Sequence, residues 1–286
     1  MSTMDRRKRL ARMGGQGDNR MIFTADADSI TVTTAMAAGA PTRRVEVTES
    51  SGVKTTYTTS PFTHNRTAAG AMRVEIGAEM LPWITQLSLF NCGLSGTFTA
   101  KQLKKFIRLQ QIRFYTNPNF SCRFGLSDLP STMTFLSVYG TASIITGTLA
   151  NIHSGMQSMY VHSTQSTLTG QLADLPASMT VLWAYTSSCK FSGGGSLPAG
   201  IREIKVNNLS LIQAEVDEII DTVYTNRASF TYAAPVLDIA GLTNAAPSGI
   251  YQDSVTPTTG LEKVYKLQVD PDTEGFNKWG VTYTNP

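Results

Sequence analysis

Leu109-Gln-Gln-Ile112-Arg-Phe114, followed 24 residues later by Met133-Thr-Phe-Leu136-Ser-Val138, sets the frame from which the rest of the chain is read. Apolar residues stand at relative positions 0, 3 and 5 of each segment. The same frame occurs at Ile84-Thr-Gln-Leu87-Ser-Leu89, Met156-Gln-Ser-Met159-Tyr-Val161, Met179-Thr-Val-Leu182-Trp-Ala184 and Ile201-Arg-Glu-Ile204-Lys-Val206. The six starts, 84, 109, 133, 156, 179 and 201, differ by 25, 24, 23, 23 and 22, and all eighteen frame positions are apolar. An ordinary β-meander predicts no such even spacing. A unit of this length cannot bury its apolar face alone, so successive copies must stack.

Punctuation recurs in step. Leu-Pro precedes the frame at Leu81-Pro82, Leu129-Pro130, Leu175-Pro176 and Leu197-Pro198. A Gly-ended triplet, read as a turn, follows it at Leu94-Ser95-Gly96, Ile145-Thr146-Gly147, Leu168-Thr169-Gly170 and Phe191-Ser192-Gly193. The expected coil has one short strand per copy, paired in parallel with the next, and a return path of Pro and Gly turns. Thr99–Ile107 carries helical spacing and explains the long first interval. With this skeleton and period, residues 81–243 resemble leucine-rich-repeat proteins, which implies a parallel β solenoid of about six to seven coils. The departure is at relative position 8, normally Asn or Cys in that family. Here it holds Cys92, Asn117, Thr141, Thr164, Ser187 and Leu209. The side-chain ladder that satisfies backbone groups is therefore weakened, or taken over by hydroxyls.

Upstream, residues 22–80 read as a small antiparallel β domain for anchoring and oligomerisation. Ile30–Thr33, Arg44–Thr48, Val53–Thr58 and Met72–Ile76 alternate in the manner of strands, and Ser51-Gly52 marks a hairpin turn. Residues 1–21 form a basic arm in which Arg6, Arg7, Lys8, Arg9 and Arg12 fall within seven residues. Such an arm docks on an acidic partner, protein or nucleic acid, nucleic acid being the less expected; the plain alternative is a solvated chain end. No apolar segment or small-residue cleavage site follows it, so no secretory peptide is expected.

Downstream, Ala214–Tyr224 and Thr259–Leu267 have helical spacing, while Val236–Ile239 and Trp279–Tyr283 read as strands. Residues 244–286 are then a capping α/β module that covers the open end of the stack. Asn244–Gly249, Pro257–Gly260 and Gly275-Phe276-Asn277-Lys-Trp279-Gly-Val281-Thr-Tyr283 resemble the end module of repeat proteins from Bacteroidetes and their crAss-like phages. That resemblance implies a virion structural protein, a head or tail fibre or decoration component. It would be held by capsid, portal or tail proteins, would be homo-oligomeric, and would display the repeat for adhesion to a host surface glycan or protein. The alternative is a bacterial leucine-rich-repeat adhesion protein of the cell surface.

Composition narrows the chemistry. Of 286 residues, 37 are Thr and 25 Ser, while charged residues make up 16% against a usual quarter or so. With 41% apolar residues the chain is no disordered segment, and it has no apolar run of membrane-spanning length. Three cysteines make no disulfide scaffold and are expected as free thiols or small buried groups. His64, His153 and His162 stand outside any metal pattern, and neither a nucleophile elbow nor a P-loop is present, so no enzyme, cofactor or metal is expected. Asp270-Pro-Asp272-Thr-Glu274-Gly275 resembles half a calcium loop but has Val281 at the twelfth position, which favours an Asp-Pro turn.

The pointed feature lies on the strand face turned away from the core. Relative position 6 holds Phe90, Tyr115, Tyr139, His162, Tyr185 and Asn207, and position 4 holds Ser88, Arg113, Ser137, Tyr160, Trp183 and Lys205. Parallel strands about 4.8 Å apart would stack five consecutive rings into a ridge on the concave side. The ridge is a candidate recognition surface made of Phe90, Arg113, Tyr115, Tyr139, Tyr160, His162, Trp183 and Tyr185. The competing reading is that the rings only stabilise the sheet.

Overall fold

The computed structural model describes residues 20–269 and 276–285. The fold is mainly β with some α: nineteen strands in two mixed sheets and three α-helices among the described residues. The first six strands are β1 (Met21–Ala25), β2 (Ser29–Met36), β3 (Val45–Thr48), β4 (Lys54–Tyr57), β5 (Phe62–Asn65) and β6 (Met72–Ile76). β1 and β5 join those legible from alternation; Phe23 in β1 and Phe62 in β5 point inward and are buried.

The repeat then delivers strands in pairs. β7 (Ile84–Ser88) and β8 (Leu94–Thr99) lead to the short helix α1 (Ala100–Leu103). β9 (Gln111–Arg113) and β10 (Phe120–Gly125), β11 (Phe135–Ser137) and β12 (Ile144–Thr148), β13 (Ser158–Tyr160) and β14 (Thr167–Gln171), β15 (Val181–Trp183) and β16 (Lys190–Ser192) follow, then β17 (Glu203–Lys205). The odd-numbered strands pair in parallel in one sheet and the even-numbered ones in the other. Each copy thus lays one strand in each sheet. Frame positions 3 and 5 point between the sheets, where Leu136, Val138, Met159 and Val161 are fully buried.

The Gly-ended triplets are the main correction to the sequence reading. Leu94-Ser95-Gly96, Ile145-Thr146-Gly147 and Leu168-Thr169-Gly170 lie inside β8, β12 and β14 and are not turns. Their glycines sit at φ of +99°, +120° and +119°, so each strand is kinked where glycine alone is unstrained. The turn comes just after. Leu126–Asp128, Leu149–Asn151 and Leu172–Asp174 are single 3₁₀ turns, each closed by its own last side chain. Gly125, Thr148 and Gln171 donate their N–H to Asp128, Asn151 and Asp174 at 3.0, 3.2 and 3.1 Å. Thr99 donates to Gln102 at 2.7 Å in the same way, and the Thr99–Ile107 helix shrinks to the one turn of α1.

The position-8 side chains form a spine in two chemistries. Asn117 Oδ1 accepts the N–H groups of Cys92 and Leu94, each at 3.0 Å, and its Nδ2 donates to Leu89 and Phe114 oxygens, each at 2.8 Å. In the following copies a pair of small groups divides that work. Thr141 donates to Val138 O at 2.5 Å and Thr164 to Val161 O at 2.6 Å, while Ser143 and Ser166 accept the N–H of Cys122 and Ile145 at 2.8 and 3.1 Å. In the fifth copy Ser187 donates to Ala184 O and Cys189 Sγ accepts from Leu168 N at 3.4 Å. Hydroxyls have taken over the ladder in the third and fourth copies, and share it with Cys189 in the fifth. All three cysteines are buried and free.

The chain closes with α2 (Gln213–Thr225), β18 (Val236–Asp238), α3 (Gly260–Val269) and β19 (Gly280–Thr282). α2 lies against the end of the even-strand sheet, where a Cβ on Gly193 would stand 2.2 Å from Glu218 O, so only glycine fits. β18 and β19 extend the other sheet in parallel. Asn244 repeats the work of Asn117, accepting from Leu209 N at 2.8 Å and Leu211 N at 3.1 Å and donating to Val206 O at 3.0 Å. At the opposite end β1 pairs antiparallel with β8, and β2 with β7. Residues 21–76 therefore share both sheets with the repeats, and one apolar core runs from Met21 to Val281.

Candidate functional site

The outward row at frame position 4 is in strict register: Ser88, Arg113, Ser137, Tyr160, Trp183, Lys205 and Asp238 are neighbours across seven parallel strands. Immediately after it the chain changes hand. Position 7 of every copy lies in the left-handed region: Asn91, Thr116, Gly140, Ser163, Thr186 and Asn208 have φ of 51°, 58°, 62°, 53°, 51° and 56°. Asn91, Thr116 and Ser163 donate their N–H to the position-6 carbonyls of Tyr115, Tyr139 and Tyr185 at 3.1, 2.9 and 3.0 Å. This holds the position-6 side chains one above another. The signal was in the sequence, since all six residues are Asn, Gly, Ser or Thr, but only the backbone gives it meaning.

The consequence is a continuous ring stack. Phe90 and Tyr115 lie 4.9 Å apart, Tyr115 and Tyr139 4.8 Å, Tyr139 and His162 4.4 Å, and His162 and Tyr185 4.3 Å, with planes within 8–16° of parallel. Their faces are spent on one another, so they present edges and hydroxyls outward. His162 is buried, and its Nδ1 has no hydrogen-bond partner among the described residues. Burial, reinforced by the nearby Lys205 ammonium, pulls the imidazole down to about 4. Burial likewise pushes the Tyr115, Tyr160 and Tyr185 phenols up.

Beside the stack lie the half-buried rings of position 4. Tyr160 and Trp183 meet edge to face at 5.0 Å and 70°, and Phe135 leans on Tyr160 at 5.4 Å. The Arg113 guanidinium lies 4.3 Å above the Phe135 ring, and Lys205 Nζ 3.8 Å from the Trp183 ring centre. Trp183 Nε1 donates to Glu203 Oε2 at 2.9 Å, which also pairs with Lys205 at 3.4 Å. All eight expected surface residues thus meet in one patch. Sequence reasoning missed Phe135, Glu203 and Asp238, which occupy the outward strand positions two residues before the row or one strand beyond it.

The basic-arm residues Arg6, Arg7, Lys8, Arg9 and Arg12, and the calcium-like segment Asp270–Gly275, lie outside the described residues. Among the described residues no three His, Cys, Asp or Glu side chains are placed to hold a metal ion, and no helix is long and apolar enough to cross a membrane. A second polar cluster sits in the first strands: Glu49 is buried, accepts from Thr67 Oγ1 at 2.7 Å and His64 Nε2 at 3.1 Å, and His64 Nδ1 meets the Tyr57 hydroxyl at 2.8 Å. It ties the 65–68 segment to β5. Comparison with protein-family models, curated proteins and solved structures found no match to this chain.

Proposed function

We propose that the chain is a non-enzymatic structural protein of a phage particle, a head or tail fibre or decoration component, whose repeat displays an adhesive face. In this reading the stacked coils of residues 81–243 are a leucine-rich-repeat solenoid, residues 22–80 its anchoring and oligomerising start, and residues 244–286 its cap. Capsid, portal or tail proteins hold the N-terminal part, the assembly is homo-oligomeric, and a host surface glycan or protein meets the ring-bearing face. The virion assignment rests on the resemblance read from the sequence of residues 244–249, 257–260 and 275–283 to the end module of repeat proteins of crAss-like phages. The ring-bearing face supports adhesion, because half-buried aromatic side chains offer large contact area at low entropic cost. A bacterial cell-surface adhesion protein would use the same face, so the two readings differ in location and not in chemistry. Mass spectrometry of purified particles separates them: the chain is expected at stoichiometric level in virions, and its absence from every particle overturns the virion assignment.

A further inference from the structure

The two sheets are finished differently at their two ends. At the closing end α2 lies against β16. There α3 covers β19: Leu267 O accepts the Trp279 N–H at 3.0 Å, and Gln268 Nε2 donates to Val281 O at 2.7 Å. At the starting end the last strands are β4 in one sheet and β5 in the other. Glu49 N donates to Val53 O at 2.8 Å, so by ladder alternation Lys54 and Thr56 turn their backbone N–H and C=O away from β3. Arg66 N donates to Asp28 O at 2.8 Å, which turns those of Thr63 and Asn65 away from β2. All four residues are exposed, and among the described residues these outward groups have no partner. A lysine ordinarily guards such an edge. Here Lys54 Nζ is drawn back over its own sheet to Glu46 Oε2 at 2.5 Å, and the edge is left open.

Three features of this end decide what occupies it. Both sheets stop together: residues 58–61 link β4 to β5, and the Tyr57 ring stacks on Phe62 at 3.9 Å. A single foreign strand would extend one sheet and leave the other open, whereas a second copy presents both edges at once. A foreign strand is also selected by pockets for its alternate side chains. The cleft of about 280 Å³ beside β4 is no such pocket, because its charges pair among themselves, Arg44 and Lys54 with Glu46 and Arg20 with Glu75. Finally, the edge complements itself. A two-fold axis sets β4 antiparallel to its copy. Registers that place Lys54 opposite Thr56 or Thr58 of the second copy bring a hydroxyl, and not another ammonium, to its side.

We infer that β4 and β5 are the contact edges of a two-fold dimer of this chain, in which β4 pairs antiparallel with its copy and β5 lies against its own. This deepens the reading of residues 22–80 as the oligomerising start and rests on it. Size exclusion with light scattering, run on the full chain at high micromolar concentration, should give a dimer. Thr56→Pro removes an outward N–H without touching the β3–β4 ladder, and should raise the apparent dissociation constant by about tenfold or more. Thr56→Lys, which adds an unpaired charge to the edge, serves if the proline variant fails to fold and should weaken the dimer likewise; circular dichroism checks both. In the unsubstituted chain the amide hydrogens of Lys54 and Thr56 should exchange slowly in the dimer and freely on dilution to monomer. Folded variants that dimerise like the parent, a trimer, or free exchange of those amides in the dimer would each overturn the edge pairing while the chain stays oligomeric through another surface. A monomer at every concentration overturns the edge pairing together with the oligomerising reading, and the virion assignment is then decided by particle mass spectrometry alone.

Discussion

His162 shows how a residue chosen by the repeat becomes a titrating element. It fills a ring position between Tyr139 and Tyr185, at 4.4 and 4.3 Å, and stacking requires it neutral in a buried place beside Lys205. Its pKa is 6.5 when free and about 4 in the fold. The unfolded chain therefore takes up the proton first as pH falls. Stability from neutral His162 is complete above pH 6.5 and drains away toward pH 4, by about 3 kcal/mol at most. His162→Phe keeps a ring in the stack and removes the titration, so its urea midpoint should fall less than the parent's between pH 7 and pH 4.5. An unchanged difference between those pH values would assign the acid sensitivity to other groups. Position 7 offers a second test. Thr186 holds a left-handed φ of 51° with a β-branched side chain, where Gly140 stands in the third copy. Thr186→Gly should gain up to about 1 kcal/mol, because relief of strain outweighs the entropy that glycine adds to the unfolded chain. Gly140→Thr should lose about as much, although a Cβ there meets Thr116 only at an ordinary 3.6 Å. Chemical denaturation reads both, and equal midpoints for parent and variants would show that the left-handed turn costs nothing here.

Among the elements, the ring stack is continuous only because each strand hands the next its register, so the inner rings count twice. Tyr139 stacks on both Tyr115 and His162, whereas Phe90 begins the stack and, among the described rings, meets Tyr115 alone. With about 1 kcal/mol for each stacked pair, Tyr139→Ala should cost about 1 kcal/mol more than Phe90→Ala, measured by thermal unfolding. Equal losses would mean that the rings act singly and that their alignment carries no energy. The strands of the odd-numbered sheet were legible from the apolar spacing alone, since positions 3 and 5 must face the core wherever a coil is stacked. The even-numbered sheet was not. Three of its strands carry a Ser-Gly or Thr-Gly pair, which locally favours a turn, and Ile145 and Leu168 are strand residues because the neighbouring copies supply hydrogen bonds at that height. The hydroxyl spine was half legible: Thr141 and Thr164 stood in the Asn place, but their partners Ser143 and Ser166 are identified only by the geometry of the turn. The same limit applied to the candidate site. Tyr160 and Trp183 followed from the frame, while Phe135 and Glu203 needed the cross-strand register.

For the whole molecule, the decisive fact is where the first strands go. Alternation in residues 22–78 predicts antiparallel strands, and these exist, yet nothing local says which sheet each will join. β1 enters the sheet of β8 and β2 the sheet of β7, so these two consecutive strands straddle the end of the stack and pair both of its edges. Phe23 of β1 packs 5.6 Å from Phe114 and 6.1 Å from Phe120, rings of the second copy. At the other end Asn244 satisfies the backbone of the sixth copy, and Trp279 is buried against Phe230 at 4.7 Å. An array whose neighbours alone touched would unfold in pieces from either end. Here the end strands are knitted into the sheets and share one core, which couples them to the coils. Urea unfolding of the full chain should therefore give one transition, with coincident midpoints by tryptophan fluorescence and far-ultraviolet circular dichroism. Phe23→Ala should shift that single midpoint by the several kcal/mol that loss of a buried ring costs, without splitting the curve. The fluorescence is well placed to detect a failure, because Trp83 sits where the first strands meet the repeat, Trp183 on the outward face and Trp279 in the closing module. Two separated midpoints, with the Trp83 signal moving first, would mean that residues 21–76 are an independent unit resting on the coils. A single curve that moves whole with Phe23→Ala would place residues 21–76 and the coils in one cooperative body, with no hinge that opens between them.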